Sequence, residues 1–336
     1  MISLLIGSLV IGFVLTFFTM PFWIRKAKKV GLVWEDMNKF ERPKDIAGSG
    51  GIVVVVAFVI GVFYYIAVRT FFMGDMDGIS IKIFSLLSVI LILTIVGIID
   101  DLFGWKNKGL SVRTRIALAF IASVPLVVIN AGVSQMSFPF LGTIDFGILY
   151  PLILVPLGVA GATTTYNFLA GFNGLEAGQG IIVVGFLSLV AYLTGTTWLA
   201  VVGLTMVAAL LGFWFYNKNP AKVFPGDSLT WSLGALIAGM AILGDFQKIA
   251  IFVFIPYIIE MILKSRGKLR KQSFGKPNED GSLEMPYDKI YGLEHLAIYI
   301  LKRIKKSKKV YENDVVYLIH GFQLIFIIIA YLLFLR

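Results

Sequence analysis

Apolar runs of similar length alternate with short polar stretches from one end of the chain to the other. They lie at about 2–24, 50–68, 79–99, 116–133, 146–166, 180–195, 198–216, 229–244, 247–263 and 315–335. An α-helix needs about 20 apolar residues to cross a bilayer, and these runs come close to that length. A transmembrane barrel would instead show alternating segments of about ten residues. The pattern predicts an all-α polytopic membrane protein with about ten transmembrane helices, forming a single integral membrane domain over 1–336. The first run lacks a basic leader and a small-residue cleavage site, so it reads as a true helix and not as a signal peptide.

The polar residues divide unequally between the two sets of loops. Segments 25–46, 100–115, 167–179, 217–228 and 264–314 hold 26 of the 30 Lys and Arg. The opposite set and the C-terminal end hold Arg69, Lys82, Lys248 and Arg336. Basic loops face the cytoplasm, so the first set is predicted to be cytoplasmic and both termini to lie outside. In a prokaryote the membrane would be the plasma membrane. Sixteen of the 20 Asp and Glu fall on the same basic side, so any active site is expected there.

Composition agrees with this topology. Hydrophobic residues make up 58% of the chain and charged residues 15%, against about 25% charged in a soluble domain. Mean hydropathy is +0.86. A net charge of +10 is accounted for by the topogenic loops, so no nucleic-acid partner is expected. With no Cys, disulfides and thiolate chemistry are excluded, and two His, His295 and His320, are too few for a His-rich metal site.

Segment 264–314 is the one sizeable polar piece, a cytoplasmic insertion between the last two helices. It opens with the basic run Lys264, Arg266, Lys268, Arg270 and Lys271. Asp280–Gly281 predicts a hairpin turn. Leu293, Leu296, Ile300 and Ile304 recur at helical spacing, with Lys302, Arg303, Lys305 and Lys306 around the other face. That pattern predicts an amphipathic helix lying in the interface of membrane lipids; a solvated basic linker is the plainer alternative.

Four constellations carry candidate chemistry. Asp100–Asp101 end the third run, with Lys106, Lys108, Arg113 and Arg115 beyond. Adjacent carboxylates suit Mg²⁺ binding or base work, or simply an acidic helix end balanced by bases. Asn167, Asn173 and Glu176 sit in YNFLAGFNGLEAG, where Gly171 and Gly174 bracket Asn173 and let backbone approach a flat ligand; an ordinary turn is the alternative. Asp227 follows Pro225–Gly226 in NPAKVFPGDS, as a ligand, a helix N-cap or both, with the Phe224 ring available for stacking. The run from Lys264, with Lys276 further on, suits phosphate, although most of it reads as topogenic charge. There is no Walker A sequence, zinc-protease helix or serine elbow.

Together, GIIDDLFGWKNKGLS, YNFLAGFNGLEAGQG, NPAKVFPGDS and GSLEMPY resemble the polyprenyl-phosphate N-acetylhexosamine-1-phosphate transferases. The likeness is greatest to the eukaryotic and archaeal UDP-GlcNAc:dolichyl-phosphate branch. The resemblance implies transfer of GlcNAc-1-phosphate from UDP-GlcNAc to a polyprenyl or dolichyl phosphate, releasing UMP. It implies that Asn167 and Asp227 hold Mg²⁺, with Mn²⁺ as the alternative, against the pyrophosphate. Gly171, Asn173 and Phe224 would cradle uridine, with Glu176 also in the substrate site. Asp100 and Asp101 match an acidic pair near the lipid phosphate, and Arg115 a basic residue close to it. Asp100, Asp101 and Asp227 are the implied catalytic carboxylates. A second copy of the chain, as a homodimer, is a further candidate partner.

The sequence departs from the family in two places. The Arg-His-Arg cluster of eukaryotic members is replaced by RKQSFGKP, where Arg270, Lys271 or Lys276 would substitute in gripping the substrate. Thr164 stands where relatives carry another Asn. The bacterial branches use a His-rich motif in this loop, and here only His295 is present, so they fit less well. The same reaction with a different UDP-N-acetyl sugar is the nearest alternative. A lipid or solute transporter is the remote one, since it would need polar residues deep within several helices.

Overall fold

The computed structural model describes residues 2–74, 78–106, 109–138 and 142–336; Lys108 lies outside them. The chain is mostly helical. Among the described residues, six helices are long and apolar enough to cross a membrane. They are α1 (Ile2–Val30), α2 (Gly51–Val68, extended by a π-helical turn), α3 (Ile79–Lys106), α7 (Leu175–Leu193), α8 (Thr197–Asn217) and α13 (Glu312–Phe334).

The other four predicted runs are helical but shorter or broken. Run 116–133 becomes α4 (Val112–Ala122) and α5 (Val124–Val128), with Pro125 at the start of the second. Run 146–166 becomes a π-helical turn at Tyr150–Leu154 leading into α6 (Val155–Tyr166), with Pro151 and Pro156 at their starts. Run 247–263 becomes α10 (Gln247–Val253) and α11 (Ile255–Arg266), divided just before Pro256. Proline removes a backbone donor and crowds the preceding turn, so it favours the first turn of a new helix over the middle of an old one. Run 229–244 is α9 (Asp227–Leu243), unbroken at 17 residues.

Helix α9 is the centre of the bundle. Every residue from Ser228 to Leu243 is buried. A helix apolar on all sides is one surrounded by protein. It packs against α3, α6, α2, α7, α10 and α8. At the α3 crossing a Cβ on Gly97 would lie 2.5 Å from the Asp227 carbonyl oxygen, so only glycine lets the two backbones approach this closely. Thr94 and Ser232 share a hydrogen bond of 2.7 Å across the same contact. Large apolar side chains such as Phe18, Phe22, Val56 and Ile95 face outward, as lipid-facing positions require.

Among the described residues, three two-stranded hairpins decorate the loops: β1 (Val33–Trp34) with β2 (Ile46–Ala47), β3 (Gln135–Phe138) with β4 (Gly142–Asp145), and β5 (Lys276–Pro277) with β6 (Leu283–Glu284). The last carries Asp280 and Gly281 in its turn, with Gly281 at φ +79°. Helix α12 (Leu293–Ile304) follows it. Its protein-facing side differs from the apolar stripe that the sequence assigned to the lipid interface. Glu294, Ala297 and Ile298 are buried against protein, together with Leu293. Leu296 and Ile300 are half-buried and Ile304 is 72% exposed. The protein-facing side is thus rotated away from the apolar stripe.

Candidate active site

The loops between helices meet at one end of the bundle. The ends of α1, α3, α6, α8 and α11 and the starts of α2, α4, α7, α9 and α13 all lie beside them. There a cavity of about 430 Å³ opens. Asp101, Asn167, Gly171, Asn173, Glu176, Phe224, Asp227 and Lys271 all contribute to its wall. Segments more than a hundred residues apart in sequence therefore converge as the motifs suggested.

Asp227 is the first residue of α9; Gly226, at φ +70°, occupies the N-cap position, so Asp227 is not itself the cap. The capping carboxylate comes from α3 instead. Asp101 Oδ1 accepts the Asp227 N–H at 2.8 Å, and Oδ2 the Ser228 N–H at 3.5 Å. This meets orphan donors that the start of a helix leaves open, next to its positive dipole end. The Asp227 side chain is left to face outward.

Asp100 faces the other way. It is buried, and its Oδ2 pairs with Arg115 Nη2 at 2.8 Å. Its Oδ1 accepts the N–H of Leu110, and Arg115 Nε donates to the Leu110 carbonyl at 3.1 Å. Arg115 Nη1 stands 4.0 Å from Asp227 Oδ2. The guanidinium thus bridges the carboxylates of α3 and α9. Neither Asp100 nor Arg115 lines the cavity; they sit behind Asp227.

Asn167 directly follows α6. Its Oδ1 accepts from Thr230 Oγ1 at 3.0 Å, one turn beyond Asp227 on α9. Gly171 and Gly174 adopt φ +108° and +82°, so the loop turns as glycine permits. A Cβ on Gly171 would come within 2.9 Å of the Phe274 ring, which packs on the loop from the insertion. Glu176 Oε1 accepts the Gly171 N–H at 2.9 Å and so closes the loop on α7.

Of the three basic residues proposed to replace the missing cluster, only Lys271 reaches the wall, held over the Tyr287 ring at 4.7 Å. Arg270 and Lys276 are exposed and lie outside the cavity lining. Lys264, with its side chain 13% exposed, lines the cavity as well. It donates to the Phe168 carbonyl and to Ser273 Oγ, and lies 3.4 Å from Glu260 Oε1. Thr164, the other departure, turns its hydroxyl back to the Ala160 carbonyl at 2.7 Å.

A further wall was not anticipated. Trp34, Glu35, Asp36 and Met37 from the loop after α1 line the cavity. Asn38 Nδ2 donates to the Gly171 carbonyl at 2.7 Å, and its Oδ1 accepts the Gly275 N–H at 3.0 Å, joining three loops. Lys39 bonds Asn219 Oδ1 at 2.7 Å and pairs with Glu312 at the start of α13. The density of polar residues in WEDMNK was the available signal.

A second cavity, about 410 Å³ and almost wholly apolar, lies along α6, α9, α10 and α11. Leu157, Gly161, Ile237, Ala241, Ile258 and Met261 line it, and Thr165 extends it to within two residues of Asn167.

Fold and site define a polytopic helical membrane protein with an acid- and amide-lined pocket at one end of its bundle. Residues 83–245 match the family described as glycosyl transferase family 4. A Sulfolobus acidocaldarius protein is 33% identical over 96% of this chain and 94% of its own length. A Saccharolobus solfataricus protein is 34% identical over 97% and 95%. Both bear the provisional name UDP-N-acetylglucosamine–dolichyl-phosphate N-acetylglucosaminephosphotransferase. A Streptococcus thermophilus phospho-N-acetylmuramoyl-pentapeptide-transferase is 30% identical over 82% and 83%. The chain belongs to glycosyl transferase family 4.

Proposed function

We propose that this protein transfers GlcNAc-1-phosphate from UDP-GlcNAc to a polyprenyl phosphate of the dolichyl type, giving polyprenyl-pyrophosphate-GlcNAc and UMP. This is the first membrane step in assembling a lipid-linked glycan. The observation that carries the reading is near-full-length similarity to two archaeal proteins with that named activity, joined to a pocket where Asn167, Asp227 and Lys264 converge. The apolar cavity ending near Asn167 gives a prenyl chain a place beside the polar site.

The donor set fits a hard divalent cation. Asp227 and Asn167 present carboxylate and amide oxygens, and Mg²⁺ commonly takes one or two protein ligands and completes its shell with water and substrate phosphates. Among the described residues no group of three or more His, Asp or Glu forms a closed metal site, in keeping with such an open arrangement. Asn167 and Asp227 would hold the ion, Mg²⁺ or Mn²⁺, which when bound neutralises pyrophosphate charge.

The chain's own residues do the rest. Arg115 receives the acceptor phosphate behind Asp227, and Asp100 fixes its guanidinium. Asp101 holds the start of α9 and so places Asp227. An acceptor phosphate oxygen attacks the β-phosphorus of UDP-GlcNAc. The bond from the β-phosphorus to the bridging oxygen breaks, and UMP leaves with that oxygen and its electron pair. A phosphate dianion needs little activation, so positioning and charge neutralisation account for the catalysis.

For topology we retain ten passes, with the pocket cytoplasmic and both termini outside. Each of the ten helical units has one end at the pocket, and the basic loops lie on that side. Mass spectrometry of the lipid product tests the reaction. A pyrophosphate-linked GlcNAc with UMP is expected; a monophosphate-linked sugar with UDP released would overturn it.

A further inference from the structure

Asn173 is held from two directions. Its backbone N–H donates to Glu312 Oε1 at 2.7 Å, and its side-chain Nδ2 donates to Asp36 Oδ2 at 2.9 Å. Asp36 is 4% exposed, and its other oxygen accepts the Asn38 N–H at 3.1 Å. A carboxylate can only accept, so an amide lying against it must turn its NH₂ toward it. The Asn173 carbonyl oxygen is thereby left on the cavity side, where no donor among the described residues meets it. An acceptor fixed in this way selects a ligand that offers an N–H.

We propose that Asp36 is a specificity-positioning residue: by fixing the amide of Asn173, it makes the pocket select uracil over cytosine. The inference rests on reading this pocket as the uridine site. Uracil and cytosine have the same size and the same stacking face, so an aromatic wall such as Phe224 does not separate them. They differ at N3, which carries a hydrogen in uracil and a bare lone pair in cytosine. Opposite the fixed Asn173 oxygen, uracil donates a hydrogen bond, whereas cytosine sets lone pair against lone pair. If the amide were free to flip, either base would be met equally well. No side chain need touch the base to set the choice; Asp36 sets it through Asn173.

The test is competition binding of UDP and CDP to the full-length protein in detergent with Mg²⁺ present. The unaltered protein is expected to prefer UDP by about tenfold or more, the scale of one lost or opposed hydrogen bond. In Asp36→Asn the Asn38 N–H claims the amide oxygen at position 36, so the new NH₂ faces Asn173 and draws the Asn173 oxygen away from the cavity. Its preference should shrink to about threefold or less. Asp36→Asn combined with Asn173→Asp reverses the bond: the amide at position 36 donates, and the carboxylate at position 173 presents only acceptors. The double variant should recover the preference for UDP. A merely structural role would lower both affinities together and would not be rescued. The inference is overturned if Asp36→Asn keeps the original ratio, if the double variant fails to restore it, or if the unaltered protein binds UDP and CDP alike. If it binds neither nucleotide, the uridine reading fails as well.

Discussion

Asp101, near the end of α3, accepts the backbone N–H of Asp227, the first residue of α9, at 2.8 Å. Two carboxylates that appear in the sequence as separate motifs are thus one unit, in which one places the other. Asp101 is buried and spent on backbone donors, while the Asp227 side chain is 23% exposed.

This division of labour separates two variants. Asp101→Asn retains an oxygen that can accept from Asp227, and should keep a measurable share of activity. Asp101→Ala removes the cap, which should cost about 1 kcal/mol of stability and most of the activity. Thermal unfolding and turnover of both variants check this. Equal loss of activity in the two would mean that the Asp101 charge itself is used.

Gly97 sets the distance between the same helices. Gly97→Ala places a methyl 2.5 Å from the Asp227 carbonyl oxygen, a backbone atom that cannot swing away. Overpacking of this kind should cost about 1–3 kcal/mol and shift Asp227 from its partners. Gly104→Ala is the control, since its nearest contact is the Trp34 ring at 3.4 Å. Thermal midpoints should fall for the first and stay level or rise for the second.

Arg115 reaches Asp100 and Asp227 with two different nitrogens, at 2.8 and 4.0 Å. A lysine has one point charge and no fork, so Arg115→Lys should lower turnover by about tenfold or more despite conserved charge. If Arg115 receives the acceptor, KM for the polyprenyl phosphate should rise while KM for UDP-GlcNAc stays near its original value. Steady-state kinetics in both substrates distinguishes this from a general loss of structure.

How much of this was legible beforehand depended on contrast. Asp100, Asp101, Asn167 and Asp227 stand at the ends of apolar runs, where a polar residue is costly and therefore conspicuous. Asp36 and Asn38 lie in a loop already rich in charge, where the polar density of WEDMNK marks the segment but not its partner; only folding brings Asp36 to Asn173, 137 residues away. The breaks near Pro125, Pro151 and Pro256 were written in the sequence, but hydropathy averages over a run and does not register a missing N–H. The turn at Gly171 and Gly174 was legible because two glycines so close together announce unusual backbone. The protein-facing side of α12 was not legible, because it includes Glu294, a buried charge that apolar periodicity does not register.

Glu294 and His295 give a pH signature to the insertion. Both Glu294 oxygens are buried without a partner, and burial raises its pKa well above the ordinary 4.5. Burial lowers His295 from 6.5 to about 4. The folded state therefore keeps the Glu294 proton where the unfolded chain has lost it, so this contribution falls as pH rises above 4.5. For His295 the folded state binds fewer protons between about 4 and 6.5, so its contribution rises with pH there and is level above. The two slopes oppose each other up to pH 6.5, and above it only the Glu294 slope of the pair remains, reinforced by the negative charge of the neighbouring Glu260. Glu294→Gln should gain stability on the parent as pH rises above 6.5. Parallel melting curves across that range would contradict the assignment.

The most direct measurement is release of UMP by purified protein supplied with UDP-GlcNAc, a polyprenyl phosphate and Mg²⁺, alongside Asp227→Ala and Asn167→Ala. The account predicts release that depends on the lipid and is abolished by both substitutions in protein that still folds. Folded protein that releases no UMP from UDP-GlcNAc, or releases it without the lipid, would contradict it.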